Sequence, residues 1–205
     1  MDYKWSKQVK FHPWVGSNYE NMPLKILLLG DSHHGEEGNK DFTKDVIRLF
    51  CHNQLKQKRF FNGIIWTLYG NNNDLENKYN NIAFYNYVQK LVSGPRIRPP
   101  HEDYMAAQAP FIEVLKKLQP DIVISFGYCL QYYVQDLTKE DKQQYPSWDV
   151  HSAGEKHEVE YQTLKIDGKT TPIYALPHPC GNKFNRQIYF QYFSKWGLTL
   201  HDTLH

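Results

Sequence analysis

Short apolar runs that end at a glycine or a polar loop are the clearest feature of this sequence. Residues 24–29 read LKILLL and end at Gly30, and residues 121–126 read DIVISF and end at Gly127. Runs of this length with glycine at their ends are typical of strands that are buried on both faces of a parallel sheet. The strands predicted in this way are 24–29, 82–92, 121–126, 158–166 and 172–176.

The segments between these runs carry the spacing of amphipathic helices. Residues 42–58 place Phe42, Val46 and Ile47 on one face and basic side chains on the other, and residues 102–118 form a similar pattern that stops before Pro120. Residues 63–69 fit either a strand or a helix. Further helices are predicted over 128–136 and near 185–195. Alternating strands and helices predict an α/β fold with a mostly parallel sheet and a site at the carboxyl ends of its strands.

Length and composition narrow the class of protein. A chain of 205 residues predicts a single domain over 1–205, with 1–23 as an irregular or short helical lead-in. A net charge of +2 permits a nucleic-acid partner without requiring one. The three cysteines lie far apart and indicate a reducing cytoplasm. No apolar stretch approaches the roughly 20 residues needed to span a membrane, so no membrane association is expected.

The loop after the first strand reads GDSHHGEEG and contains the first candidate for chemistry, Asp31. A carboxylate at a strand end can position a water molecule or stabilise a cation, although an Asp that caps a helix explains the same pattern. The neighbouring His33, His34, Glu36 and Glu37 raise the possibility of a metal site. Neither HxxxH nor HExxH is present, so we expect no metal.

Three later loops carry polar side chains at predicted strand ends. Asn86 lies between two tyrosines and offers both a donor and an acceptor, although an isolated Asn also serves to satisfy loop backbone. Arg96 and Arg98 lie in a proline-stiffened loop that could grip phosphates. His178 lies between two prolines, which restrict its backbone, and so could be either structural or a preorganised donor.

In this order, the four loops resemble motifs of the uracil-DNA glycosylase superfamily over residues 24–195. LKILLLGDSHHGEEGNKDF is similar to the first motif of the iron–sulfur branch, in which a strand leads into G-E-A-P-G and a later Phe. YNYVQKLVSGPRIRPP is similar to that branch's T-N-x-V-K and Arg-Pro loop, and YALPHPCG to its H-P-S motif. The resemblance implies a three-layer αβα sandwich with a central, mostly parallel four-stranded sheet, and double-stranded DNA as the partner of a monomer without an obligate protein partner.

The resemblance also implies roles for single residues. Asp31 matches the catalytic acid, and His178 matches the histidine that stabilises the departing base. The remaining positions are expected to recognise the base (Phe42, Asn86, Ser32, His33 and His34) or to contact DNA (Arg96, Arg98, Lys183, Phe184 and Arg186), with 183–186 falling where the superfamily inserts a wedge into the duplex.

Two departures from the iron–sulfur branch change the expected chemistry. The cluster cysteines are absent, so no cofactor is expected. His34 stands where some relatives use a Tyr that excludes C5 substituents. We therefore expect a monofunctional DNA glycosylase that excises a C5-modified pyrimidine, such as a glucosylated hydroxymethylcytosine of phage DNA, and leaves an abasic site, in antiphage defence.

Three other functions remain open at the level of sequence. The first is a uracil-DNA glycosylase of base excision repair. The second is a DNA-binding protein that keeps the fold without its chemistry. The third is a hydrolase of a small ester or nucleotide, which the absence of a G-x-S-x-G motif disfavours.

Overall fold

The structure is a computed structural model that describes residues 3–56, 58–94, 97–127, 130, 132–134, 149–152 and 158–200. Within these residues a seven-stranded sheet forms the centre of the molecule. Its strands are β1 (Trp14–Val15), β2 (Ile26–Gly30), β4 (Ala83–Asn86), β6 (Ile122–Phe126), β7 (Asp149–Ser152), β8 (Glu158–Ile166) and β9 (Lys169–Leu176). Two shorter strands, β3 (His33–His34) and β5 (Leu91–Val92), pair in parallel beside it.

Six helices with defined bounds accompany the sheet in the described residues. They are α1 (Phe42–Cys51), α2 (Arg59–Tyr69), α3 (Leu75–Asn80), α4 (His101–Ala106), α5 (Gln108–Leu118) and α6 (Arg186–Lys195). The helix predicted near 185–195 is therefore confirmed. Its start is fixed by Asn185, whose side-chain oxygen accepts hydrogen bonds from the backbone N–H groups of Gln187 and Ile188. The helix predicted over 128–136 lies largely outside the described residues, with Leu130 and 132–134 helical.

The strand order β1-β4-β2-β6-β9-β8-β7 places four parallel strands, β4, β2, β6 and β9, at the centre. The predicted α/β fold with a parallel central sheet is confirmed. The sheet is wider than the four strands expected, because β1, β8 and β7 add antiparallel pairs at its edges. Asp167 and Gly168 both have positive φ, and this two-residue hairpin turns β8 directly back into β9.

The apolar runs of the central strands supply two cores. Successive side chains of a strand point to opposite faces, so Ile26 and Leu28 pack on one side of the sheet and Leu27 and Leu29 on the other. Helices α1, α2 and α6 contribute to the first core, and helices α4 and α5 contribute to the second. This arrangement is compatible with three layers.

Several predicted elements have different bounds in the structure. The helix predicted over 42–58 ends at Cys51, and residues 63–69 belong to a helix. The prediction of one helix over 102–118 is wrong, because the chain forms α4 and α5 with a break at Ala107. Pro110 explains the break, since it cannot donate to the carbonyl of Ala106 and its ring would collide with that carbonyl in a continuous helix.

Two further predictions, both in the amino-terminal half of the chain, need correction. The strand predicted over 82–92 divides into β4 and β5. The lead-in 1–23 is more ordered than expected: it contains β1 and a short 3-10 helix (Tyr19–Asn21), and Val9, Phe11 and Tyr19 are buried. No helix among the described residues has both the length and the apolar character required to cross a membrane.

Candidate active site

Asp31 and His178 lie at the same edge of the sheet. Strands β2, β6 and β9 are adjacent and parallel, and their register aligns Leu29 with Ser125 and Ser125 with Ala175. Asp31 directly follows β2, and His178 follows β9 by two residues. One strand lies between them, so their strand ends are separated by two strand spacings, or roughly 10 Å.

The two oxygens of the Asp31 carboxylate have different environments. Oδ2 accepts a 3.0 Å hydrogen bond from the hydroxyl of Tyr104. Oδ1 is buried and has no hydrogen-bond partner among the described residues. Burial raises the pKa of Asp31, while the Tyr104 hydrogen bond and the charges of Arg98 and His34 oppose that rise. The carboxylate is therefore incompletely satisfied, which favours the approach of a cation or of a water molecule that can donate to it.

Tyr104 is held rigidly behind Asp31. Its ring is stacked on that of Tyr133, with ring centroids 4.1 Å apart and an angle of 2° between the planes. The Tyr133 hydroxyl in turn lies 3.2 Å from Nδ1 of His101. Sequence analysis did not identify Tyr104 as a site residue, because an aromatic on the apolar face of a helix looks like ordinary core packing.

His178 is exposed, and its ring is oriented by two contacts. Its Nδ1 accepts a 3.2 Å hydrogen bond from the backbone N–H of Cys180, and its ring lies against Phe60 at a centroid distance of 5.2 Å. Burial lowers the pKa of His178, and the charge of His34 lowers it further. Because Nδ1 is the acceptor, the neutral ring carries its proton on Nε2 and can donate it outwards.

His34 links the two sides of this edge electrostatically. Its charge acts on Asp31 and on His178, and the charge of Asp31 acts on His34 in return. His34 is itself exposed, and partial burial lowers its pKa. The structure thus brings three sequence-predicted residues together. Within the described ranges, no three His, Cys, Asp or Glu side chains are arranged to hold a metal ion.

Gly127 keeps the space between Asp31 and His178 open. It follows β6, the strand between β2 and β9, and its N–H donates a 2.8 Å hydrogen bond to the carbonyl of Leu176. Its φ of +117° is a conformation that favours glycine, and among the described residues no heavy atom beyond its chain neighbours lies within 4 Å of the place where a side-chain carbon would stand. We call the space beside Gly127, between the ends of β2 and β9, the gap.

His33 and Asn86 form a wall at the same edge of the sheet, on the β4 side of β2 and across that strand from Gly127. Asn86 Nδ2 donates a 3.0 Å hydrogen bond to Nδ1 of His33, whose Nε2 lies 2.8 Å from the hydroxyl of Thr43. Burial lowers the pKa of His33 to about 3, so the ring is neutral and its Nε2–H donates to Thr43. The Asn86 oxygen lies against Gly30, where a methyl group would overlap it. Asn86 is buried, and its second N–H has no hydrogen-bond partner among the described residues.

The other predicted base-recognition residues lie near this wall. Phe42 is half-buried and meets the ring of His33 edge-on at a centroid distance of 4.9 Å. Ser32 is half-buried in the loop between Asp31 and His33. The structure places Phe42 at the start of α1, beside the wall rather than across the gap from it.

The predicted DNA-contacting residues fall on two sides of the gap. Arg98 is exposed on the Asp31 side, where its charge acts on that carboxylate. Lys183 and Arg186 are exposed beyond the His178 loop. Phe184 is half-buried and packs against Tyr189 at a ring centroid distance of 5.3 Å. Arg96 lies outside the described residues.

Comparison with known proteins adds no assignment. No protein-family model matches this chain, and no curated protein matches it. The functional interpretation therefore depends on the fold and on the side chains at the carboxyl edge of the sheet.

Proposed function

We propose that this protein is a DNA glycosylase that cleaves the bond between a base and its deoxyribose and leaves an abasic site. One observation supports this most directly. Asp31 and His178 follow parallel strands that flank β6, and Gly127 leaves the space between them open. A carboxylate and an imidazole on opposite sides of a gap suit a reaction that creates a cation and an anion at the same time.

Extrusion of one nucleotide from the duplex would bring its sugar and base into the gap. Unstacking a base costs a few kcal/mol, which contacts in the site must offset. The Asn86 N–H that remains available would donate to the edge of the base. The ring of Phe42 would contact the base beside the His33 wall.

Cleavage of the glycosidic bond leaves positive charge on the sugar and negative charge on the base. The partly unsatisfied Asp31 carboxylate would stabilise the oxocarbenium-like sugar and orient the attacking water through Oδ1, a charge logic shared with glycoside hydrolysis. The neutral His178 ring would donate a hydrogen bond from Nε2–H to the base oxygen and keep its proton as negative charge develops there. One preorganised donor of this kind contributes roughly 3–4 kcal/mol.

Water is the nucleophile that the site favours. No lysine is among the groups that perturb the pKa of Asp31 in the described part of the chain, so we assign no amine to a Schiff base with the sugar. The proposed enzyme is monofunctional and requires no diffusible cofactor.

The substrate we propose is DNA with a C5-modified pyrimidine, such as the glucosylated hydroxymethylcytosine of some phages. His34 is exposed at the gap, and no side chain projects from Gly127. This open site supports a bulky base better than a closely fitting pocket would. Excision of such a base would serve in defence against phage DNA.

The test is to incubate the protein with duplex DNAs that differ only in one base: cytosine, uracil, 5-hydroxymethylcytosine or its glucosylated form. Abasic sites are then counted by alkaline strand cleavage. Rapid cleavage of the glucosylated DNA and slow cleavage of the uracil DNA is the expected result. Preferred release of uracil would instead assign the protein to repair, and abasic sites in none of the four would contradict the proposal.

A further inference from the structure

A second concave feature lies beside the His178 loop, between helices α2 and α6. It is a groove of about 650 Å³, a volume within the range of roughly 300–1,000 Å³ that is common for ligand sites. Pro179, one residue after His178, belongs to its lining. The other residues that matter here are Arg59, Asn62, Phe184, Arg186 and Gln187.

The lining of this groove has a single sign of charge. The described residues that line it include Arg59 and Arg186 and no Asp or Glu. Both arginines are exposed, and its remaining polar side chains are amides. Two cations repel each other in a groove whose described lining has no acidic residue, and a bound anion would relieve that repulsion.

Each of these arginines stands at the end of its helix where a positive charge is least favourable for helix stability. Arg59 is the first residue of α2 and Arg186 is the first residue of α6, and neither helix has an acidic residue in its first turn. The helix macrodipole favours acidic side chains at that end and disfavours cations. Both helices therefore add positive potential to the groove.

Two local features prepare the groove for a ligand. The guanidinium of Arg186 lies 4.1 Å above the ring of Trp66, a cation–π contact that restricts its orientation. Helix α2 has no side-chain cap, whereas Asn185 already accepts from the first N–H groups of α6. A ligand in the groove would thus contact the two guanidinium groups and the side-chain amides of Asn62 and Gln187. It would also contact the backbone N–H groups at the start of α2.

We propose that this groove binds the phosphodiester backbone of duplex DNA, next to the nucleotide whose base enters the gap. The inference rests on the proposed function for the identity of the polyanion. Arginine is well suited to phosphate because its planar fork of donors can contact two oxygens at once. The groove and His178 share one loop, so backbone held by Arg59 and Arg186 would also fix the position of the imidazole relative to the DNA.

Equilibrium binding of an unmodified duplex is measured by fluorescence anisotropy at salt concentrations from about 0.05 to 0.4 M, a range that includes physiological ionic strength. The double variant Arg59→Gln/Arg186→Gln should bind roughly 50-fold more weakly at about 0.1 M salt, because each lost phosphate contact removes about one unit from the slope of log K against log salt. The charge-retaining variant Arg59→Lys/Arg186→Lys should keep most of that slope. Arg48→Gln, which removes an exposed arginine of α1 that is paired with Asp45, is the matched control and should bind like wild type.

Gln187→Glu provides an independent variant that should fold well. An acid in the first turn of α6 interacts favourably with the helix macrodipole, so thermal stability should stay unchanged or rise. The same carboxylate would repel phosphate, so DNA affinity should fall about 10-fold in roughly 0.1 M salt. The groove proposal would be overturned if Gln187→Glu and the double glutamine variant both kept the wild-type affinity and salt slope. It would also be overturned if the wild-type protein did not bind the duplex.

This readout separates the two proposals, because it does not depend on base release. Wild-type protein that binds the duplex through the groove without forming abasic sites in any DNA would support the groove and contradict the glycosylase. Base release by the wild-type protein, together with normal DNA binding by the groove variants, would support the glycosylase and contradict the groove.

Discussion

The hydroxyl of Tyr104 donates a 3.0 Å hydrogen bond to Oδ2 of Asp31, and Oδ1 of the same carboxylate is buried without a partner in the described part of the chain. The donor favours the ionised carboxylate, whereas burial opposes it. Asp31 is therefore anchored through one oxygen and left reactive through the other.

Replacement of this donor should change the pH dependence of base release. Tyr104→Phe removes the hydrogen bond that stabilises the ionised form, so the pKa of Asp31 rises further and the acidic limb of the pH–rate profile moves to higher pH. We also expect the maximal rate to fall roughly 10-fold, since a hydrogen bond to a charged group contributes about 1.5–3 kcal/mol. The measurement is single-turnover release over pH 5–9, a range that covers the limb.

Tyr85→Phe is the matched control for this experiment. The Tyr85 hydroxyl is buried without a partner among the described residues, so its removal should leave the rate and the pH profile unchanged. An acidic limb that does not move in Tyr104→Phe would exclude Asp31 as the group that titrates there.

Asp31 should also reduce the stability of the fold at neutral pH. Its folded pKa lies above the ordinary value of 3.8, so the folded state binds the proton more tightly and ionisation opposes folding. Asp31→Asn should therefore raise the free energy of unfolding at neutral pH, and with it the Tm. The gain should shrink as the pH falls towards 3.8, because the folded wild-type protein then takes up a proton on Asp31. A loss of stability in Asp31→Asn at neutral pH would contradict the environment described for this carboxylate.

His33 should make the protein sensitive to acid. Its folded pKa of about 3 lies below the ordinary value of 6.5, so the unfolded chain takes up the proton first and stability is lost as the pH falls through this window. The loss from this one group approaches about 1.4 kcal/mol per pH unit. His33→Gln should be less stable at neutral pH, because it disturbs the hydrogen bonds to Asn86 and Thr43. Its stability should nevertheless depend less on pH between 6.5 and 4, the range over which the lowered pKa of His33 acts. Denaturant unfolding at several pH values checks both effects, and equal pH dependence in the two proteins would contradict the buried neutral ring.

Gly127 and Gly168 form a matched pair that separates stability from function. Both have positive φ, and at neither position does a non-neighbouring atom of the described residues lie within 4 Å of the place where a side chain would begin. Alanine at either position should cost about 1–3 kcal/mol because of the backbone conformation. Only Gly127→Ala should also slow base release, since Gly127 borders the gap and Gly168 lies in the β8–β9 hairpin. Equal release by the two variants under conditions where both are folded would exclude the gap as the base site.

The central part of the fold could be predicted from the sequence because its signals are local. Apolar runs at 24–29 and 121–126 identify β2 and β6, and the glycines that end these runs mark the carboxyl edge of the sheet. The break between α4 and α5 was missed because the apolar spacing continues across it, although Pro110 carries the signal. Helix α3 was missed because its asparagine-rich sequence has low helix propensity, and Asp74 starts it with a side-chain cap.

The candidate site could be predicted only in part. Asp31 directly follows β2, His34 ends β3 and His178 lies two residues after β9, so position along the chain determines their position in space. The Tyr104 hydrogen bond and the link between Asn86 and His33 join residues 73 and 53 positions apart, and local pattern does not encode such pairs. One of the two arginines of the groove was predicted from the sequence: Arg186 was expected to contact DNA, and Arg59 was not.

The most direct test of the central claim is the mass-spectrometric detection of free base released in a single turnover from the preferred modified duplex. Wild-type protein should release the intact base and leave an equal amount of abasic sites. Asp31→Asn and His178→Ala should each release it at least about 100-fold more slowly while binding the duplex normally, since one preorganised charge-stabilising group contributes this much. Free base formed at the wild-type rate by both variants would contradict the account.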